Sequence, residues 1–223
     1  MTPEHAFDIQ SFDFLRDLSA NNDRDWFHAH KTVFATRLER PFIHLLVSLS
    51  NRLQDAPRPM SGGKATVFGM NRDVRFSEDK RPYKTNLSGL LTPSGSKKEA
   101  GGVIYVQIDA EGGFAAAGYY GLSPAELGPI RDAMVTREAE FASIKADLAN
   151  SGRDFDRSDS LTGMPKGFAD QVDHPHAAEI RLKSLMLRED MDRDVWLSGD
   201  VTDRIEALAR DAMPLLDFTE SGR

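Results

Sequence analysis

The sequence contains no cysteine. That absence excludes disulfides, thiolate metal sites and a cysteine nucleophile. Long apolar runs are missing too: no stretch approaches the roughly 20 residues needed to span a bilayer. The N-terminal region carries Asp13, Asp17, Asp23 and Asp25 and has no unbroken apolar core, so it does not read as a signal peptide. Basic residues are in deficit, with 28 Lys and Arg against 35 Asp and Glu and a formal charge of -7. An acidic total disfavours a broad electrostatic hold on nucleic acid or on an anionic membrane. Together these absences lead to the expectation of a soluble cytoplasmic protein with no membrane partner and with nucleic acid disfavoured.

What is present is ordinary for a globular chain. The 223 residues are 40% hydrophobic and 28% charged, enough to build one large core. A single domain over 1–223 is expected, with short flexible ends at about 1–8 and 218–223. Phe14, Leu15 and Leu18 give Phe12 to Ala20 a helical stripe. Asn22 is placed as the N-cap of the next helix, and Asp23 and Asp25 fall in its first turn, where the helix dipole favours anions. Phe27, Phe34, Leu38, Leu45, Leu49 and Leu53 continue the helical period; Pro41 inside it predicts a kink or a break.

Residues 55–66 and 93–102 read as loops. Val67 to Ser77, Leu87 to Leu91, Val103 to Ile108 and Phe114 to Tyr120 read as strands, with a hairpin turn at Asp109 to Gly113. The small residues Ala115 to Gly118 would let a helix sit close. Ser123-Pro124-Ala125-Glu126 is a capping box with proline at the first helical position. Leu127, Ile130, Met134, Phe141, Ile144 and Leu148 follow at helical spacing, and Pro129 is placed to split off the first turn. Pro175 to Lys183 reads as a helix, Ser184 to Arg188 as an added strand, and Thr202 to Leu216 as a terminal amphipathic helix. The expected fold class is α+β, a mainly antiparallel sheet packed against several helices.

The segment Arg72 to Lys84 runs against the charge of its own chain. It holds five cations and three carboxylates, a surplus of two, whereas the remainder has 23 basic and 32 acidic residues. On a strand over Val67 to Ser77, Arg72, Val74 and Phe76 share one face and Asp73 and Arg75 the other. Val74 and Phe76 would then enter the core, and Asp73 would fix the planar fork of Arg75, which suits a carboxylate or phosphate. Arg81 precedes Pro82 and is pushed to extended geometry, which puts Lys80, Tyr83 and Lys84 on a loop at the strand end. Arg24 and Lys31, seven residues apart on one expected helix, could extend this cationic site.

Three functions compete on these residues. In the favoured one Arg72, Arg75, Lys80, Lys84, Arg24 and Lys31 bind a small anionic ligand. Asp73 or Asp79 would orient the arginines or act as a base, and Tyr83 would contribute a hydroxyl. Aspartates among cations have depressed pKa values, which suits orientation better than general-acid work. In the second, the same patch docks a protein or nucleic-acid partner. In the third it is only an ion network, with Asp23, Asp25 and Glu39 as partners. Of Tyr119 and Tyr120 one should point inward and one outward.

Other motifs fail on their own terms. Ser77-Glu78-Asp79-Lys80 has S-x-x-K spacing, but the companion motifs of serine penicillin-binding enzymes are missing. Residues 61–66 lack the leading glycine and the Ser/Thr of a phosphate loop. His28 and His30 point apart on a helix. His174 and His176 flank Pro175 with Asp173 and Glu179 nearby, which would suit a metal; the ordinary reading is the start of the helix that Pro175 opens. No metal and no cofactor is expected.

In order along the chain stand N-N-D-R-D-W-F-H-A-H-K-T-V-F, R-D-V-R-F-S-E-D-K-R-P-Y-K-T-N, G-Y-Y-G, M-P-K-G-F and H-P-H-A-A-E-I-R-L-K. This series resembles the DUF2461 family, widespread in bacteria, over about residues 10 to 215. The resemblance implies shared importance for Asn22, Arg24, Trp26, Lys31, Arg72, Asp73, Arg75, Phe76, Asp79, Lys80, Pro82, Tyr83 and Lys84. Later matches are Lys166, Gly167, Phe168, His174 and Lys183. The stretch Leu161 to Met164 is less basic than the family's usual run at that point. The resemblance implies no particular reaction, since the family has no established activity.

Overall fold

In the computed structural model, residues 6–98 and 101–218 are described. Helix α1 (Ile9–Ala20) starts where the Asp8 carboxylate accepts from the Gln10 and Ser11 amides while Ser11 returns a bond to the Asp8 amide. Helix α2 (Arg24–Ala29) is capped by Asp23, which accepts from Trp26 N at 2.8 Å. Asn22, expected as that cap, is used elsewhere. A short α3 (Lys31–Val33) leads into a π-helical turn at Phe34–Glu39 and then α4 (Arg40–Arg52). Pro41 lies in the first turn of α4, where its missing N–H costs little; the wider turn before it absorbs the expected break.

Four strands form one antiparallel sheet in the order β1 (Asn86–Leu91), β2 (Val103–Asp109), β3 (Gly112–Tyr119), β4 (Leu185–Asp192). The β2–β3 hairpin turns at Ala110–Glu111, with the Asp109 carboxylate accepting from Glu111 N. Between β3 and β4 lie α5 (Pro124–Thr136), α6 (Glu138–Asn150) and the single turn α7 (Ala177–Ile180). The Ser123 capping box forms as expected. Pro129 does not split α5, which runs unbroken through it, and the helix expected over Pro175 to Lys183 shrinks to α7. After β4 come α8 (Arg193–Ser198), unforeseen in the sequence, and α9 (Val201–Phe218).

The strand pattern decides which face is buried. Ile104, Val106 and Ile108 of β2, Ala115 and Ala117 of β3, and Leu185 and Leu187 of β4 point inward against α1, α4, α8 and α9. Phe12, Phe42, Trp196, Phe141 and Phe218 are fully buried, each contributing about 1.5–3 kcal/mol by leaving water. Helix α4 approaches β1 closely because residue 89 is glycine: a Cβ there would sit 2.8 Å from Leu46 Cδ1. The alanines of β3 do seat α9, as expected. Gly118 serves another need, since its φ of 140° would press a Cβ to 1.9 Å from the Leu185 carbonyl. Of the expected flexible ends, residues 1–5 and 219–223 lie outside the described residues, whereas Phe7 and Phe218 are buried. Among the described residues no helix is long and apolar enough to cross a membrane.

Candidate functional site

The strand expected over Val67 to Ser77 does not form. Residues 61–72 run antiparallel beside residues 83–92, pairing with them through isolated bridges at Ser61–Thr92, Val67–Gly89 and Asn71–Tyr83. Pro82 has no N–H to give a ladder, so pairing cannot propagate past it. Instead Arg72 N donates to Pro82 O at 2.8 Å and Lys84 N to Met70 O at 2.7 Å. These bonds close a projecting tip loop, residues 73–82.

The loop's base is tied to the helical layer by two side chains, Asn22 and Phe27. Asn22 Nδ2 donates to Tyr83 O and Asn22 Oδ1 accepts from Tyr83 N, both at 3.0 Å. Phe27 stacks on the Tyr83 ring at 4.2 Å. Tyr83 is thus largely buried in the joint, its ring packed against Phe27.

Within the tip the cations are sorted into pairs. Arg75 grips Asp73 in a fork, Nε to Oδ1 at 2.9 Å and Nη2 to Oδ2 at 2.6 Å. Asp79 accepts from Arg72 Nη1 at 2.7 Å and from Arg81 Nη2 at 2.7 Å, and its Oδ1 takes the Arg81 amide at 3.0 Å. Hydrogen bonds from Arg81, then Arg72, hold the Asp79 carboxyl well below the usual carboxylate range, and Arg75 lowers Asp73 likewise. Both aspartates therefore orient guanidinium groups; a carboxylate so stabilised is a poor base. The partners foreseen for such a network, Asp23, Asp25 and Glu39, do not take part among the described residues; the pairing is internal to residues 72–81.

Two further expectations fail. Phe76 does not enter the core: it is 95% exposed, beside an Arg75 side chain that is 76% exposed and lies 5.8 Å from its ring centroid. Arg24 and Lys31 do not share a continuous helix face, because the helix breaks at His30, and neither side chain bonds to the loop among the described residues. Lys80 Nζ donates to Val74 O at 3.1 Å. Lys84 stands 5.5 Å from the Phe68 ring, with Lys97 5.7 Å from the same ring. Phe68 and Lys97 were missed in the sequence because they come from two different loops. Tyr119 points inward and donates to Leu216 O at 2.9 Å, while Tyr120 is exposed.

The later matched positions lie in a different part of the chain. Phe168 is buried, Lys183 pairs with Asp159 at 2.7 Å, and among the described residues no bond joins Lys166 to the loop. His174 Nε2 faces Glu138 at 3.3 Å, and Glu179 turns inward to meet Lys145 and Arg157, each at 2.9 Å. Among the described residues no three His, Asp or Glu gather for a metal. No curated protein matches the chain. The model of a family described as a conserved hypothetical protein (DUF2461) matches residues 10–218, taking in the tip loop, its Asn22 tie and all four strands. The chain therefore belongs to the DUF2461 family.

Proposed function

We propose that the protein is a docking module whose tip loop, residues 73–82, binds a carboxylate- or phosphate-bearing patch on a partner protein. The observation that carries this reading is Phe76, almost wholly exposed beside a guanidinium that Asp73 holds in place. An exposed aromatic costs the free protein favourable burial, and aromatic residues with arginine dominate the energetic centres of protein interfaces. The exposure favours docking over a pocket that encloses a small anion, where Arg75 would face a hollow. The acidic remainder of the chain repels nucleic acid, and the segment Arg72 to Lys84, with its surplus of two cations, offers an acidic surface a place to approach.

The test places a photo-crosslinking amino acid at position 76 in cells and identifies the adduct. That protein is then purified and its affinity measured directly. Phe76→Ala and Arg75→Ala should each weaken binding by about 10- to 100-fold, the range of interface hot spots. Equal affinity of the variants and the wild type would overturn the reading. Stabilisation of the wild type, but not of Arg75→Ala, by phosphate or citrate would return the loop to the small-anion function.

A further inference from the structure

Arg72, Arg75 and Arg81 are each paired with an aspartate of their own segment. The cation that ends the segment is not. Among the described residues no carboxylate pairs with Lys84, nor with Lys97 from the loop after β1. Both ammonium groups stand at one ring, Phe68, 5.5 and 5.7 Å from its centroid, and Lys97 Nζ donates to Val67 O at 2.8 Å. Elsewhere lysines do meet acids: Lys145 pairs with Glu179 and Lys183 with Asp159. Two like charges gathered at one ring repel each other. The negative face of the ring offsets part of that cost, and an anion within reach of both would remove more.

The fold puts this cluster on the open side of the sheet. Gly89 faces α4, and its bridge partner Val67 faces the same way. Val67 is extended, so Phe68 after it turns to the opposite side. Lys84 turns with it, because Tyr83 before it packs inward on Phe27. The helices that pack on the sheet, α1, α4, α8 and α9, cover the inner face. On the outer face Tyr105 of β2 and Phe114 of β3 are half-buried, with ring centroids 5.5 Å apart. The Arg188 guanidinium of β4 lies 3.8 Å from the Phe114 centroid and is held by Asp190 at 2.7 Å. The tip loop adjoins this face, since Lys84 N closes the loop's base on Met70 O.

We propose that the outer face of the sheet, at Phe68, Lys84 and Lys97, takes an acidic segment of the same partner protein that the tip loop docks. Neighbouring Asp or Glu side chains of that segment lie on the two lysines, and its apolar side chains lie toward Phe114 and Tyr105. The inference rests on the docking function of the loop and names the chemistry of the partner there. Charge complementarity argues for it: the tip arginines are already matched by aspartates, whereas the lysines at Phe68 have no acid of their own.

The test measures binding of fluorescein-labelled hexaglutamate to the full chain at low salt, beside hexalysine and a single-stranded hexathymidylate. Hexaglutamate should bind saturably and tightest of the three. Lys84→Met combined with Lys97→Met should weaken it by about 3- to 30-fold, the combined value of two exposed ion pairs, at an unchanged Tm. Lys97→Met alone, at an exposed position, decides if the double variant does not fold. Equal affinity of Lys97→Met and the wild type for hexaglutamate, or tighter binding of the oligonucleotide, overturns the proposal. The protein captured at position 76 separates this proposal from the docking function. An affinity for it that falls with Phe76→Ala but not with Lys97→Met keeps the docking function and overturns the acidic segment on the sheet. Hexaglutamate binding that falls with Lys97→Met, with no adduct formed at position 76, keeps the sheet face as an acidic-peptide site and overturns the docking function of the loop.

Discussion

Asn22 shows how much one side chain can decide. Its amide satisfies both backbone groups of Tyr83 across 61 residues of sequence. Asn22→Ala removes two hydrogen bonds and leaves a part-buried N–H and C=O without protein partners, a cost of about 1–3 kcal/mol. Denaturant unfolding should report that loss, and hydrogen exchange should show the Tyr83 amide exposed well before the core opens. If that amide keeps its protection in the variant, the tie is not what holds the loop. Asp79 makes the companion case for charge. Its pKa is depressed in the folded protein, so its contribution to stability is complete above the unfolded value, near pH 4, and is lost as the pH falls through the folded value. A carboxyl NMR titration should find Asp79 still ionised where ordinary aspartates have protonated; a midpoint near the ordinary value would refute the pairing.

At the scale of elements, the close seat of α4 on β1 is set by Gly89. Gly89→Ala would put its Cβ 2.8 Å from Leu46 Cδ1 and 3.0 Å from Phe42 Cε1. The overpacking should cost about 1–3 kcal/mol, read as a lower Tm, and Leu46→Ala should cost less in that background than it does alone, because it removes the clashing Cδ1. Additive losses in that double variant would mean that α4 is not seated through this contact. Strand elements were readable because period two exposes itself in Ile104, Val106 and Ile108. Val67 to Ser77 misled because alternation alone cannot report that a neighbouring strand is barred from pairing by Pro82. The terminal helix was legible from its apolar stripe, but α8 is only six residues long and too short to show a period.

For the molecule as a whole, charge is divided unevenly. The segment Arg72 to Lys84 carries a positive surplus of two on an acidic body, and its aspartates hold guanidinium groups in place. Docking should therefore weaken steeply as salt rises toward about 1 M, where the Debye length is about 3 Å, while the exposed Phe76 supplies a part of the affinity that salt does not screen. Phe76→Ala should change folding stability by no more than about 0.5 kcal/mol, as expected of an exposed side chain, even as it weakens binding. A large stability loss would show that Phe76 packs against the body, contrary to its exposure.

The sequence by itself determined the α+β class, the β2–β3 hairpin, the Ser123 cap and the concentration of cations in one segment, because period, capping and composition are local properties. Tertiary structure alone decided that Arg72, Arg75 and Arg81 satisfy their own loop's aspartates, that Tyr83 is packed away while Phe76 is not, and that Lys84 and Lys97 converge on the Phe68 ring. Those outcomes depend on which residues meet across tens of positions, and pairing over such distances is set by packing rather than by any spacing along the chain.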